Sequence, residues 1–553
     1  MYVSKGKLVT RRLDQPKVTE LPGTEGAFDP FFSPDGQWIA FFAGSKLQKI
    51  SLEGGAPSVL CDAPNGRGGS WGPDGTIVAS LNISTGLSRI PAAGGTPKDT
   101  LEPLTDLAPG EFSHRWPEFL PGGKAVLFTS NKRLGASDEA NIQVVSLQDR
   151  HQKILRQGGT FGRYLPTSTR PSSRAIGHLI YLNNGTLFAA AFDPGALEIQ
   201  GAFVPVLDRV AYSSVGGSAQ FSFSASQDGP GTLLYRDGRG AGGEMVTVQW
   251  LDSTGKAQPL LAKPGLYRAP HLSPDGQRLA FSMGEGSNRD IWIYEWQRDS
   301  MTRLTFGSVV GGSVPNPVWS PDGRSIVFPG TGGMFSVRSD GAGKPEALTQ
   351  SKNLQTPFSF TPDGKRLAWA ETGSGGNDLW TMPLEKDAAG LRSGGKPEVF
   401  LQTAFNEGQP AFSPDGRWIA YSSNESGTIQ VYVRAYPDKG GKWQISNGMG
   451  RSPVWSLRGR DLFFLSAGNQ IMAAAWTAKG DSFVADKPRT WSEKRLVSIG
   501  LAPSGSYDVA PDGKRIVTLM PVETPETDAS QHDVIFLLNF GDELRRKVPL
   551  TGK

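Results

Sequence analysis

One phrase recurs along the chain and constrains its fold more than any other feature. FSPDGQWIAFFAG (32–44), LSPDGQRLAFSMG (272–284), WSPDGRSIVFPG (319–330), FTPDGKRLAWAET (360–372), FSPDGRWIAYSSN (412–424) and VAPDGKRIVTLM (509–520) are near copies. Fainter versions stand at WGPDGTIVASL (71–81), FLPGGKAVLFTS (119–130) and FSASQDGPGTLLY (223–235). In S-P-D-G the proline presets φ for the second position of a type I turn, and the glycine tolerates the left-handed conformation that leads into the next strand. The flanks read as a tight hairpin. Its second strand is apolar on both faces, as in Trp38-Ile39-Ala40-Phe41-Phe42, which suits a strand covered on both sides. A third strand such as DIWIYEW (290–296) and a more polar fourth such as MTRLTF (301–306) follow.

Spacing turns the hairpin into an architecture. The turn residues Asp275, Asp322, Asp363 and Asp415 stand 47, 41 and 52 residues apart, and Asp512 lies 97 beyond Asp415, room for two units. SLRGRDLFFL (456–465) and GHLIYLNNGTLFAAAFD (177–193) fill the gaps as degenerate units. Four strands every 40 to 50 residues are the mark of β-propeller blades, which need stacked neighbours to bury their faces. The expected fold is all-β: two tandem propellers of about six four-stranded blades, assigned to residues 1–243 and 244–553. The first blade is expected to be incomplete, because KGKLVTRRLDQPKVTEL matches the outer half of a unit with no SPDG hairpin before it. Such an open blade would exchange its amides faster before residue 25 than the equivalent strands at 290–306. The hairpin at 221–236 is an alternative partner for it.

Composition narrows the functional classes. The 553 residues exceed one ordinary core, and 70 glycines with 41 prolines punctuate many short strands. Lys and Arg (57) nearly balance Asp and Glu (53), with no basic block to track a phosphate backbone, so no nucleic-acid partner is expected. The single cysteine, Cys61, permits no intrachain disulfide and reads as an apolar filler. No signal peptide and no apolar window of membrane-spanning length is found, so no membrane insertion is expected.

Motifs with catalytic resonance have simpler explanations. Gly68-Gly69-Ser70-Trp71-Gly72 matches G-x-S-x-G but runs straight into a blade turn, whereas a nucleophile elbow needs a helix there. Gly238 to Gly243 matches G-x-G-x-x-G but precedes the strand-like MVTVQWLD, so no dinucleotide or other cofactor is expected. None of the five histidines has metal-ligand spacing with another, and the turn residues Asp35, Asp74, Asp275, Asp322, Asp363, Asp415 and Asp512 are assigned to capping turn amides rather than to a metal. What remains are polar stretches entering innermost strands, where propellers line a channel: His114, Arg115, Trp116 and Glu118, then Arg268, and Glu407 with Gln409. These are the candidate ligand-binding residues.

The longer phrases carry a resemblance. LPGTEGAFDPFFSPDGQWIAFFA, GGAPSVLCDAPNGRGGSWGPDG, SHRWPEFLPGGK, LQTAFNEGQPAFSPDGRWIAYSSNESGTIQVYVRAYP and GGKWQIS are similar to the WD40-like, TolB-type propeller region at the C-terminus of bacterial receptor-like serine/threonine protein kinases. The resemblance implies a sensor module outside the cytoplasm, periplasmic or extracytoplasmic. The kinase domain and transmembrane helix of that family have no counterpart here, and no catalytic residue is carried over. The expected function is therefore non-enzymatic recognition of a peptide, glycan or protein by a monomer. The alternatives are a propeller-fold lyase or hydrolase acting at a central channel, and a TolB-like periplasmic scaffold.

Overall fold

The recurrent phrase closes through its own side chains. In the blade that contains Ser413, the serine hydroxyl donates to Asp415 Oδ1 at 2.5 Å, and the same oxygen accepts the Arg417 amide at 3.1 Å. Ser413 Oγ in turn accepts the Trp418 amide at 3.0 Å. Asp322 and Asp363 repeat this with Ser320 and Thr361, and Asp275 with Ser273. Asp35, Asp74 and Asp512 each accept the amide two residues on. The glycine after each aspartate is left-handed, with φ of 71° at Gly416 and 69° at Gly36, a conformation that costs glycine nothing.

These turns come from a computed structural model, which describes residues 1–4, 7–12, 17–94, 101–132, 137–167, 177–213, 216–224, 231–238, 245–285, 288–306, 316–373, 376–387, 390–438, 440–496, 506–522 and 534–550. The turn at 225–230 and most of the glycine-rich stretch 238–243 lie outside them. The described strands form twelve antiparallel sheets, most of them four-stranded meanders. The strand after each turn is covered on both faces: Trp418–Ser423 and Ala125–Asn131 are buried along their whole lengths. The chain is a tandem pair of β-propellers, and the described residues are nearly all β, with one short α-helix, Phe540–Lys547, and a single 3-10 turn at Ser137–Glu139.

The first compact unit comprises Met1–Gly242 with Glu523–Lys553, and the second Gly243–Val522. Each holds six sheets. In the second unit one sheet joins the two ends of the segment: Tyr507–Val509 and Arg515–Pro521 form the inner hairpin, and Val246–Asp252 and Ala257–Gly265 the outer strands. Such a shared blade leaves the ring without a free edge.

The first unit departs from expectation at the C-terminus. The sequence assigns everything after residue 244 to the second ring. Strand Val534–Leu538 instead pairs with Thr232–Arg236, from Thr232 opposite Leu538 to Arg236 opposite Val534. Helix Phe540–Lys547 then buries Phe540 and Leu544 among Leu165, Ile180 and Val210. His178 Nε2 meets the Val548 carbonyl at 2.7 Å, and Lys547 reaches the Val206 carbonyl. Local order makes Val534–Leu538 look like the third strand after RIVTLM. That position on Arg515–Pro521 is already held by Val246–Asp252. The hairpin at 221–236 accordingly pairs with the C-terminal strand rather than with residues 1–22. The N-terminal sheet has three strands, Tyr2–Ser4, Lys7–Arg11 and Val18–Glu20.

Six innermost strands share a detail that the repeat does not advertise. Asp29, Trp116, Phe161, Ala269, Gln409 and Ser452 have φ between 47° and 58°, each at a shift of register against the neighbouring strand. Each stands five residues before the turn proline or its equivalent. A β-bulge with one left-handed residue bends the strand and re-aims the side chains beside it. Non-glycine residues hold that conformation only where the surroundings impose it.

Candidate functional site

In the second unit the inner strands Tyr267–Leu272, Val318–Trp319, Leu354–Phe360, Glu407–Phe412, Gly450–Trp455 and Tyr507–Val509 enclose a cavity of about 410 Å³. The turns supply its rim. Pro274, Pro321, Pro362, Pro414 and Pro511 all line it, and Leu457 takes the proline's place in the degenerate blade. Trp319, Phe360, Phe412 and Trp455, one residue before the S/T of the turn, add apolar wall. Both indoles are tied to the preceding blade: Trp319 Nε1–H donates to the His271 carbonyl (3.0 Å) and Trp455 Nε1–H to that of Ala411 (2.9 Å).

Polar groups line the same cavity. His271 Nε2 lies 3.1 Å from Asn316 Oδ1, and Asn316 Nδ2 donates to the Pro357 carbonyl at 2.7 Å. That second bond fixes the amide's orientation, so His271 Nε2 is the donor to Asn316 Oδ1. Its Nδ1 then faces the Asp508 carboxylate at 3.8 Å. Burial pushes Asp508 above the ordinary carboxylate range, against the opposing pull of His271. Gln409 Oε1 accepts from the Ser452 amide and the Ser422 hydroxyl, both at 2.8 Å.

A positional rule explains several of these side chains. The residue three before the turn proline accepts the backbone amide of the next blade: Ser70 from Phe119 (3.0 Å), Glu118 from Tyr164 (2.8 Å), Ser359 from Phe412 (3.0 Å) and Asp508 from Leu272 (2.8 Å). A serine suffices for this inter-blade bond. Glu118 and Asp508 therefore bring charge beyond what the bond requires. Ser70 is part of strand Gly69–Trp71 and serves this bond, so its G-x-S-x-G context is structural.

The sequence-derived candidates divide. Gln409 lines the cavity of the second unit, and Glu118 lies at the ring interior of the first, where burial pushes its carboxyl up to about 7 against the pull of Arg163. The others are packed rather than presented at a mouth. His114 is fully buried, with Nδ1 2.7 Å from Thr105 Oγ1 and Nε2 2.9 Å from Glu111 Oε2. Arg115 is equally buried and donates to Ser113 Oγ and to the Gly216 and Ile83 carbonyls. Trp116 is 4% exposed and bonds the Gly216 carbonyl; Arg268 is 5% exposed and donates to its neighbour Tyr267. Glu407 is 1% exposed, and burial, then Asp378, raise it to about 7. These residue types looked suited to a ligand, but at or before the bulge each is buried and held by neighbouring segments. The sequence reading passed over Asp29, Arg67 and Arg163 in the first unit and His271, Asn316 and Asp508 in the second. Counting back three to six residues from each turn proline would have found them all.

Other features are quiet. Burial and the nearby Asp62 push the Cys61 thiol up to about 12. Among the described residues no group of three or more His, Cys, Asp or Glu side chains could hold a metal ion, and no helix is long and apolar enough to cross a membrane.

No family model matches the chain. It is 25% identical over 193 residues to the uncharacterised peptidase YuxL of Bacillus subtilis, covering 28% of this chain and 29% of that protein. It is 26% identical over 204 residues to the Tol-Pal system protein TolB of Francisella tularensis, covering 34% and 42%. Among solved structures, a TolB-type protein of Agrobacterium tumefaciens is matched along its whole length by 51% of this chain, at 18% identity and a TM-score of 0.37. The chain is similar to TolB-type propellers in its repeats. It spans well under half the length of both of these curated relatives.

Proposed function

We propose that the chain is a ligand-binding module whose second propeller takes an extended peptide with apolar side chains at the mouth of its cavity. One observation carries the reading. The cavity is rimmed by five prolines and walled by tryptophan and phenylalanine, while its amide and hydroxyl groups are mostly committed to the fold. Rigid apolar walls with a few fixed polar groups suit recognition at low entropic cost. The sequence phrases shared with receptor-type kinases favour an extracytoplasmic sensor role, as the outer part of such a receptor or a stand-alone relative. The test is calorimetry with a peptide and glycan panel against the parent protein and Val454→Trp, which fills the cavity. Saturable peptide binding that is lost in Val454→Trp, with its melting temperature retained, is expected. Binding that survives the substitution would overturn the assignment.

A second reading rests on the His271–Asp508 pair. An imidazole 3.8 Å from a half-buried carboxylate inside a cavity can act as a general acid or base. On this reading His271→Asn abolishes turnover of a hydrolase or lyase substrate without abolishing its binding. Should turnover be found and survive that change, the pair has no catalytic role.

A further inference from the structure

The inner strands of the first unit carry charges that alternate from blade to blade. Asp29 comes from Phe28–Phe32, Arg67 stands two residues before Gly69–Trp71, Glu118 comes from Ser113–Phe119 and Arg163 from Thr160–Leu165. All four are partly exposed, unlike the sealed Arg115 beside them. Arg67 and Arg163 lie close enough to Asp29 to act on its charge, and Arg163 also acts on Glu118.

The four do not neutralise one another by contact. Arg163 is pinned: its Nη1 donates to the Trp116 and Gly162 carbonyls at 3.0 and 2.8 Å, and its guanidinium lies 3.8 Å over the Phe161 ring. Arg67 Nη1 donates to the adjacent Gly66 carbonyl at 2.7 Å, while its Nε is enclosed with no partner among the described residues. Glu118 spends one oxygen on the Tyr164 amide. Asp29 takes no hydrogen bond from any described residue. Burial pushes Asp29 up to about 6 and Glu118 up to about 7 in spite of the neighbouring guanidinium groups, so neither carboxylate is fully compensated by its surroundings.

Two guanidinium groups side by side favour an anionic acceptor, and an unbonded carboxylate asks for a donor. The groups are neighbours: Arg67 and Arg163 both act on Asp29, and Arg163 Nη1 bonds the Trp116 carbonyl two residues before Glu118. A simple anion would serve the arginines and leave the carboxylates facing it; a simple amine would do the reverse. We propose that the first propeller holds a second binding site, for a small zwitterion of the α-amino acid class, with its carboxylate against Arg67 and Arg163 and its ammonium against Asp29 and Glu118. This site is independent of the cavity in the second unit.

The experiment is isothermal calorimetry at pH 7 on the whole chain with the twenty common amino acids, propionate, ethylammonium and glycine betaine. At least one amino acid should bind with 1:1 stoichiometry and the two singly charged probes at least tenfold more weakly. Glycine betaine, which has no N–H, should bind as weakly as propionate. Arg67→Gln and Asp29→Asn should each weaken the amino acid at least tenfold, while Val454→Trp in the other unit leaves it unchanged. Melting curves of each variant show that it is folded, and either one suffices if the other does not fold. No binding by any amino acid, propionate binding as tightly as the best of them, or unchanged affinity in a folded Arg67→Gln would each overturn the proposal.

Discussion

Replacing Gly416 with valine tests whether the turns or the strands set the stability of a blade. Gly416 has φ of 71°, and a Cβ built there would lie 3.2 Å from Pro362 Cδ, in the turn of the preceding blade. The left-handed conformation costs an L-residue about 1–2 kcal/mol, and a β-branched one sits at the upper end. The proline ring is too stiff to give way, which adds about 1 kcal/mol of overpacking. The sum is about 2–3 kcal/mol, several degrees of melting temperature for a unit of this size. Gly36 separates the two terms, because its φ is 69° and nothing lies within 4 Å of a Cβ built there. Gly36→Val should therefore cost its own unit only the backbone share, about 1–2 kcal/mol. Equilibrium urea unfolding followed by tryptophan fluorescence measures both. An unchanged midpoint for Gly416→Val would refute the turn assignment, and equal costs at the two sites would refute the role of Pro362.

Two further outcomes are expected. The folded Glu407 carboxyl titrates near 7 rather than at its ordinary 4.5, so the native state holds a proton that the unfolded chain gives up. Its contribution is fully present below about pH 4.5 and is lost as pH rises through 7, at up to about 1.4 kcal/mol per pH unit. Glu407→Gln should flatten the stability profile over that window and exceed the parent at pH 8; an unaltered slope would show that Glu407 does not titrate there. Leu544→Ala, at a fully buried position of the C-terminal helix, should destabilise the first unit by about 2–5 kcal/mol, and urea unfolding with no change in that unit would mean the helix is not part of its core.

The repeat determined much of this protein by itself. Proline, aspartate and glycine at fixed places in each phrase encode a local turn, and a turn depends only on residues a few positions apart. The doubly apolar strand after it and the 41- to 52-residue spacing then require stacked blades, because no single blade can cover both its faces. Pairing at long range was not legible. Val534–Leu538 has the composition of a strand, yet nothing local says that it joins Thr232–Arg236, hundreds of residues away, rather than the hairpin just before it. The same limit hid the sites. Asp29, Arg163 and His271 look like ordinary strand residues until a bulge re-aims the segment, and that bulge sits on residues such as Trp116 and Gln409 that carry no glycine signature. Which side chains reach the ring interior depends on register and on closure of the ring, and only the tertiary structure sets these.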